Sequence, residues 1–255
     1  MNFWLFHLLL FFLHIITITS IRNRTNLTTI RPVLTTTEDD FQPVSVDYIT
    51  FDSFTDVWDM NIPPKVRGIT IKNSNLTIAF LKNLPIVKQL ALVNNNIENF
   101  QLVKLNFDFM PKLEIFNISR QNINPMANNS FIRFKNLKQL SLICTSLTVI
   151  ESKAFNTLDK LEILDLSGNF LKVVSEELLA PLENLKILIL NNNLIKKFMS
   201  IPKLNCLEKL YLENNPIDSL ANVDRIALKR KANKLKNIKF CTRISIACQS
   251  FESIC

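Results

Sequence analysis

The feature that most constrains this chain is an internal period. A frame reading apolar-x-x-apolar-x-apolar-x-x-Asn-x-apolar is filled completely by Leu161, Leu164, Leu166, Asn169 and Leu171. It is filled again by Leu185, Leu188, Leu190, Asn193 and Ile195, and by Leu207, Leu210, Leu212, Asn215 and Ile217. Towards the N-terminus it restarts at Leu137, Leu113, Val87 and Val66, so the starts at 66, 87, 113, 137, 161, 185 and 207 are 21, 26, 24, 24, 24 and 22 residues apart. Apolar residues two apart are the signature of a strand. A unit of ~24 residues holds one such strand and a returning segment, and it cannot enclose a core by itself. The units must stack. The expected fold class is α/β: a curved solenoid with parallel strands on its concave face and irregular or short helical segments on its convex side.

With places counted from 1 at each start, the seven units occupy residues 66–217. A weaker unit at Val46, Ile49 and Phe51 is read as an N-terminal cap strand within 46–65, and Leu235, Ile238 and Phe240 as a closing strand within a C-terminal cap, 218–255. A second apolar pair precedes the starts, as in Phe107 and Met110, Phe131 and Phe134, Phe155 and Leu158, Leu179 and Leu182, and Ile201 and Leu204. That pair fills the convex side. The ninth place turns the chain out of the strand, where an Asn side chain satisfies backbone groups that the turn leaves open. The column reads Ser74, Asn95, Gln121, Thr145, Asn169, Asn193 and Asn215. It is uninterrupted Asn only in the last three units, so the middle of the stack is expected to be less regular.

These residues resemble the leucine-rich-repeat superfamily over about Val66 to Ile217. The spacing of Ala154, Phe155, Leu158 and Leu161 is similar to the 24-residue extracellular animal type. The stretch Ile62-Pro-Pro-Lys-Val-Arg-Gly-Ile-Thr-Ile-Lys-Asn-Ser-Asn-Leu76 resembles insect, mosquito-type leucine-rich-repeat immune proteins. The resemblance implies a non-enzymatic protein-binding role and, in its narrower form, innate-immune recognition or scaffolding. The chain departs from many extracellular members in having no Cys before Cys144.

Phe3 to Ile18 is an apolar run of signal-peptide length ending at Thr19 and Ser20, so residues 1–20 are read as a cleaved leader and 21–45 as a Thr-rich, glycosylated lead-in. The alternative is an uncleaved anchor holding an adhesion or receptor ectodomain at a membrane. Five sequons fit a secretory route, at Asn23, Asn26, Asn75, Asn117 and Asn128. The expected location is extracellular.

In a strand the residues between the inward leucines face the concave surface. Place 3 reads Gly68, Gln89, Ile115, Gln139, Ile163, Ile187 and Lys209, and place 5 reads Thr70, Ala91, Asn117, Ser141, Asp165, Ile189 and Tyr211. Ile163, Ile187, Ile189 and Tyr211 are expected to form an exposed apolar patch edged by Asp165, Asn191, Lys209 and Glu213, the composition of an interface. The opposing reading is that β-branched residues simply favour strands. A glycan on Asn117 would obstruct the middle of the face, which favours the C-terminal half.

Five cysteines make an odd count in an oxidising compartment. Cys144 and Cys206 are three repeats apart, roughly 14 Å at ~4.8 Å per strand, too far to pair. Cys144 reads as a small buried apolar residue. Cys206, Cys241, Cys248 and Cys255 are the disulfide candidates: Cys206 with one of the other three would staple the end of the stack, and Cys255 could reach a second chain. Lys229, Arg230 and Lys231, with Lys234, Lys236 and Lys239, sit in an expected cap helix from Asn222 to about Lys236. The net charge is +8, and this run could attract sulfated glycans or an anionic surface, or be a solvated face; no aromatic platform accompanies it, which disfavours nucleic acid. Both histidines, His7 and His14, fall in the leader. Without them the usual general base and zinc ligand are missing, so neither catalysis, cofactor nor metal is expected. A wrapping enzyme inhibitor remains an alternative to a recognition protein.

Overall fold

The computed structural model describes residues 47–53, 62, 65–97, 110–196, 202–217, 232 and 234–240. Its strands are β1 (Tyr48–Asp52), β2 (Gly68–Lys72), β3 (Asn75–Leu76), β4 (Gln89–Val93), β5 (Asn96–Ile97), β6 (Ile115–Ser119), β7 (Gln139–Ile143), β8 (Ile163–Asp165), β9 (Ile187–Ile189), β10 (Lys209–Leu212) and β11 (Asn237–Phe240). Two short helices are described, α1 (Ile78–Lys82) and α2 (Glu176–Leu179). Thr77 and Ser175 cap them, each accepting from a backbone N–H three residues on.

Nine strands form one parallel sheet in the order β1-β2-β4-β6-β7-β8-β9-β10-β11 among the described residues, and β3 pairs with β5 beside it. Register follows the sequence period: Gly68 lies opposite Gln89, Gln89 opposite Ile115, Ile115 opposite Gln139, and so on to Lys209 opposite Asn237. Both weak end units join without a break, since Tyr48 pairs with Gly68 as every later third place pairs with the next. Parallel strands in register put identical places on top of one another. Place 4 is thus a column of Ile69, Leu90, Phe116, Leu140, Leu164, Leu188 and Leu210, all buried. Each such side chain is worth ~1.5–3 kcal/mol once buried, and no single unit could bury its own. Behind the sheet, Phe131 packs on Phe134 and Phe155, with 5.7 Å between centroids in both pairs, and Phe134 stacks on Phe116 at 5.3 Å. The convex pairs expected from the sequence are buried wherever they are described.

The eighth place shows how the chain leaves each strand. Ser53, Asn73, Asn94, Arg120, Cys144, Gly168, Asn192 and Asn214 all have positive φ. From Ser53 to Asn192 this left-handed kink aims the N–H at the carbonyl of the seventh place in the next unit, as Arg120 to Ile143 and Asn192 to Glu213. Glycine meets the need without strain at Gly168. With only two glycines in the chain, Asn, which tolerates this region best among the other residues, supplies most of the rest.

The ninth-place column is buried throughout. Asn193 donates to the Leu166 and Leu190 carbonyls and accepts from Leu171 N–H, while Asn215 repeats the pattern on Leu190, Leu212 and Ile195. In the middle the pattern falters as expected: Gln121 Oε1 is buried without a partner, and Ile123 N–H goes to the Thr145 carbonyl instead of to a side chain. The leader, the lead-in and the helical part of the C-terminal cap lie outside the described residues. What is described of that cap, around Lys234–Lys236, is a turn into β11 with Leu235 N–H on the Ala232 carbonyl.

Candidate protein-binding face

Strand alternation puts Ile163, Ile187, Ile189 and Tyr211 on the concave side. Ile163 sits beside Ile187 in β8 and β9, and Ile189 beside Tyr211 in β9 and β10. The four make one patch across three strands. They are half-buried, where the sequence suggested open exposure, because strands ~4.8 Å apart let each side chain shield its neighbours. The rim is already organised. Asn191 Nδ2 donates to Glu213 Oε2 at 3.1 Å and Glu213 N–H donates to Asn191 Oδ1 at 2.8 Å. Asp165 accepts from Ser167 N–H at 2.9 Å, and Lys209 flanks Ile187 on β10. A rigid sheet with fixed rim groups loses little entropy when it binds.

The N-terminal half of the same face is built differently. Gly68 is buried beneath the Tyr48 ring, and a Cβ there would come within 2.7 Å of it. Thr70, Ala91 and Asn117 form the neighbouring fifth-place column. Asn117 is half-buried with its Oδ1 enclosed and unpartnered, a cramped setting for its sequon. Asn128 is exposed, and its Oδ1 accepts from Lys153 N–H. Asn75 is exposed on β3. Asn23 and Asn26 lie outside the described residues.

Two features escaped the sequence reading. Place 2 carries a ladder of alternating charge along one edge of the sheet: Glu114 bridges Lys88 at 2.8 Å and Lys138 at 2.9 Å, and Lys186 bridges Glu162 at 2.7 Å. Hydrogen bonds from Lys88 and Lys138 hold the Glu114 carboxyl down to about 2, and the Glu114 and Glu162 carboxylates push Lys138 and Lys186 up. Reading the second place as Lys88, Glu114, Lys138, Glu162, Lys186, Glu208 would have revealed it. The two most exposed large apolar side chains described lie elsewhere, on the flank after the Asn column: Val173 at 72% and Val149 at 58%. Val149 and Val173 share the thirteenth place of adjacent units.

The cysteines reverse the expectation. Cys206 is a free thiol, and Cys144 is half-buried and disulfide-bonded. Geometry explains both. Cys206 precedes β10, whereas the chain leaves β11 at Phe240, the opposite end of the strands, so a staple from Cys206 would have to span a strand length. Cys144 follows β7 at the left-handed eighth place, with φ 54°, which puts its side chain at the rim instead of in the core. Cys241, Cys248, Cys255 and Lys229–Lys231 lie outside the described residues; Lys234 and Lys236 are exposed. Among the described residues no group of three His, Cys, Asp or Glu could hold a metal, and no helix is long and apolar enough to cross a membrane.

These features define a solenoid of stacked parallel strands. Residues 135–195 match the family model described as leucine rich repeat. Three solved structures are similar: a TLR13–ssRNA13 complex, with TM-score 0.58 and 16% identity over 70% of this chain; the internalin C2 (inlC2) of Listeria monocytogenes str. 4b F2365, at 0.54 and 20% over 70%; and the internalin inlF of the same strain, at 0.54 and 20% over 75%. The chain covers 29% of the TLR13 chain, 72% of inlC2 and 54% of inlF. No curated protein matches by sequence. At these identities the likeness is one of fold.

Proposed function

We propose that this chain is a secreted, non-catalytic recognition protein that binds a protein partner on the C-terminal half of its concave face. The observation carrying the reading is the half-buried patch of Ile163, Ile187, Ile189 and Tyr211 on a rigid sheet, ringed by the Asn191–Glu213 pair, Asp165 and Lys209. An accessible apolar centre inside a hydrogen-bonded polar rim is how protein interfaces are built. Nucleic acid fits it poorly, since the face offers one cation among these residues where a phosphate backbone requires several. Secretion is supported by the apolar leader and by the sequons at Asn75 and Asn128, both exposed. A role in innate-immune recognition, of the insect type, rests on the resemblance of Ile62–Leu76.

N-terminal sequencing of the product tests secretion. A start near Ile21 is expected, and retention of Phe3–Ile18 would replace secretion by membrane tethering. Tyr211→Ala and Ile187→Asp test the face itself: both should abolish capture of the partner while leaving the melting curve in place, and undiminished capture by both would move the site elsewhere.

A further inference from the structure

We infer that the N-terminal half of the concave face is a second binding site, separate from the Ile187 patch, and that it takes an extended, uncharged oligosaccharide stacked on Tyr48.

The ring is the anchor. Tyr48 holds the third place of β1 and is 52% exposed, the most exposed aromatic side chain among the described residues. Its neighbour in β2 is Gly68, where any Cβ would meet the ring carbons Cδ1 and Cε1 at 2.7 and 2.8 Å. The glycine therefore lets the ring lie down against the sheet while the rest of it stays open to solvent. Gln89, next in the same row, adjoins it, with its Cβ 3.2 Å from that same position. A pyranose carries a face of C–H groups that packs on an aromatic ring and a rim of hydroxyls, each of which both donates and accepts.

The polar groups beyond the ring suit such a rim. Along the third and fifth places of β1, β2, β4, β6 and β7 no residue is charged. Gln89 and Gln139 bring amides and Thr50 and Thr70 hydroxyls, all able to donate and to accept. Among the described residues none of these four side chains bonds to another protein group. The groups on either side are already engaged: Asn94 donates to Asn73 at 2.7 Å and Asn73 to Asp52 at 2.8 Å along one border, and Glu114 bridges Lys88 and Lys138 along the other. Asn117 Oδ1, in the fifth-place row, is an enclosed acceptor with no donor, a deficit that a sugar hydroxyl fills once the amide turns outward.

Size and charge select the ligand. The strip crosses five strands, four steps of ~4.8 Å or roughly 19 Å, which fits a linear run of sugars better than a single one. An acidic glycan or a nucleic acid requires unpaired cations, and the nearest lysines are held by Glu114. A protein partner requires an apolar centre, and that lies in the other half of the face.

Calorimetry on the full chain tests this with cellohexaose and chitohexaose as neutral probes and heparin as the charged control. At least one neutral probe should bind, with an affinity unchanged between low salt and ~1 M salt. Tyr48→Ala should weaken it about tenfold, and Tyr48→Phe, which keeps the ring, far less. Gln139→Ala, three strands from the ring, should weaken it several-fold and serves where Tyr48→Ala fails to fold. Ile187→Asp should bind the sugar normally, so this site and the protein-binding patch can fail separately. Binding of neither neutral probe, binding of heparin alone, or undiminished binding by a folded Tyr48→Ala or by Gln139→Ala overturns the inference. Loss of protein capture in Tyr48→Ala without any sugar binding also overturns it, by making the strip part of the protein interface. So does a glycan found attached to Asn117, which would fill the strip from the chain itself.

Discussion

Asn169 reaches back across one turn of the solenoid to Thr145, its Oδ1 accepting from the Thr145 backbone N–H and hydroxyl at 3.0 Å each. The same oxygen takes Leu147 N–H at 3.1 Å, and Nδ2 donates to the Leu142 and Leu166 carbonyls at 2.7 and 2.9 Å. One side chain thus satisfies backbone groups of two units inside a fully buried turn. Asn169→Leu leaves them unpaired, and each such group costs ~1–3 kcal/mol. The expected result is a loss on the order of 3 kcal/mol or more, a fall in Tm of roughly 10 °C in a thermal melt. A shift within about 2 °C would mean that the column is not what joins the units.

Gln121 occupies the same place with one methylene too many, and its buried Oε1 has no partner. Gln121→Asn shortens the side chain to the length that works at Asn169, Asn193 and Asn215. Stability should rise by about 1 kcal/mol, the worth of one hydrogen bond, read as a higher midpoint in urea unfolding with an unchanged slope. A lower midpoint refutes the explanation of the irregular middle.

Phe131 is fully buried between Phe134 and Phe155. Phe131→Ala should cost ~3–5 kcal/mol, whereas Val173→Ala, on the exposed flank, should stay within ~0.5 kcal/mol. Parallel denaturant titrations of the two would check the contrast, and similar losses would contradict the packing.

The Glu114 carboxyl is held down from 4.5 to about 2 by Lys88 and Lys138. Its charged form is therefore favoured in the folded state, so its contribution is present above pH ~4.5 and is lost as the pH falls towards about 2. The wild type should lose more Tm across that window than Glu114→Gln does. Because the pairs are partly exposed, the difference should be small and should vanish near 1 M salt, where charges are screened beyond ~3 Å. Parallel curves in low salt would show that the ladder contributes nothing.

The stacking was legible in the sequence because leucine columns and a regular start-to-start spacing impose register: one residue of slip would expose every inward side chain. That is why even the end strands at Tyr48 and Asn237 pair where the frame puts them. The ninth-place column was legible for the same reason. The edge ladder at Lys88, Glu114 and Lys138 was equally readable but lies in a place that hydrophobic patterning ignores. The exposure of Ile187 and Tyr211 was misjudged, since a pattern gives direction and says nothing of how neighbouring strands shade one another. The cysteines could not be assigned from spacing alone. Cys144 and Leu147 both follow the same strand, yet the left-handed backbone at 144 puts the thiol at the rim while Leu147 is fully buried.

The concave patch, rather than the more exposed flank, is the proposed binding surface. The most direct measurement is partner capture from the native source of the protein, comparing wild type, Ile187→Asp and Val173→Asp, all three confirmed folded. Capture by wild type and Val173→Asp with loss in Ile187→Asp is the predicted result. Capture retained by Ile187→Asp and lost in Val173→Asp would contradict it and put recognition on the flank.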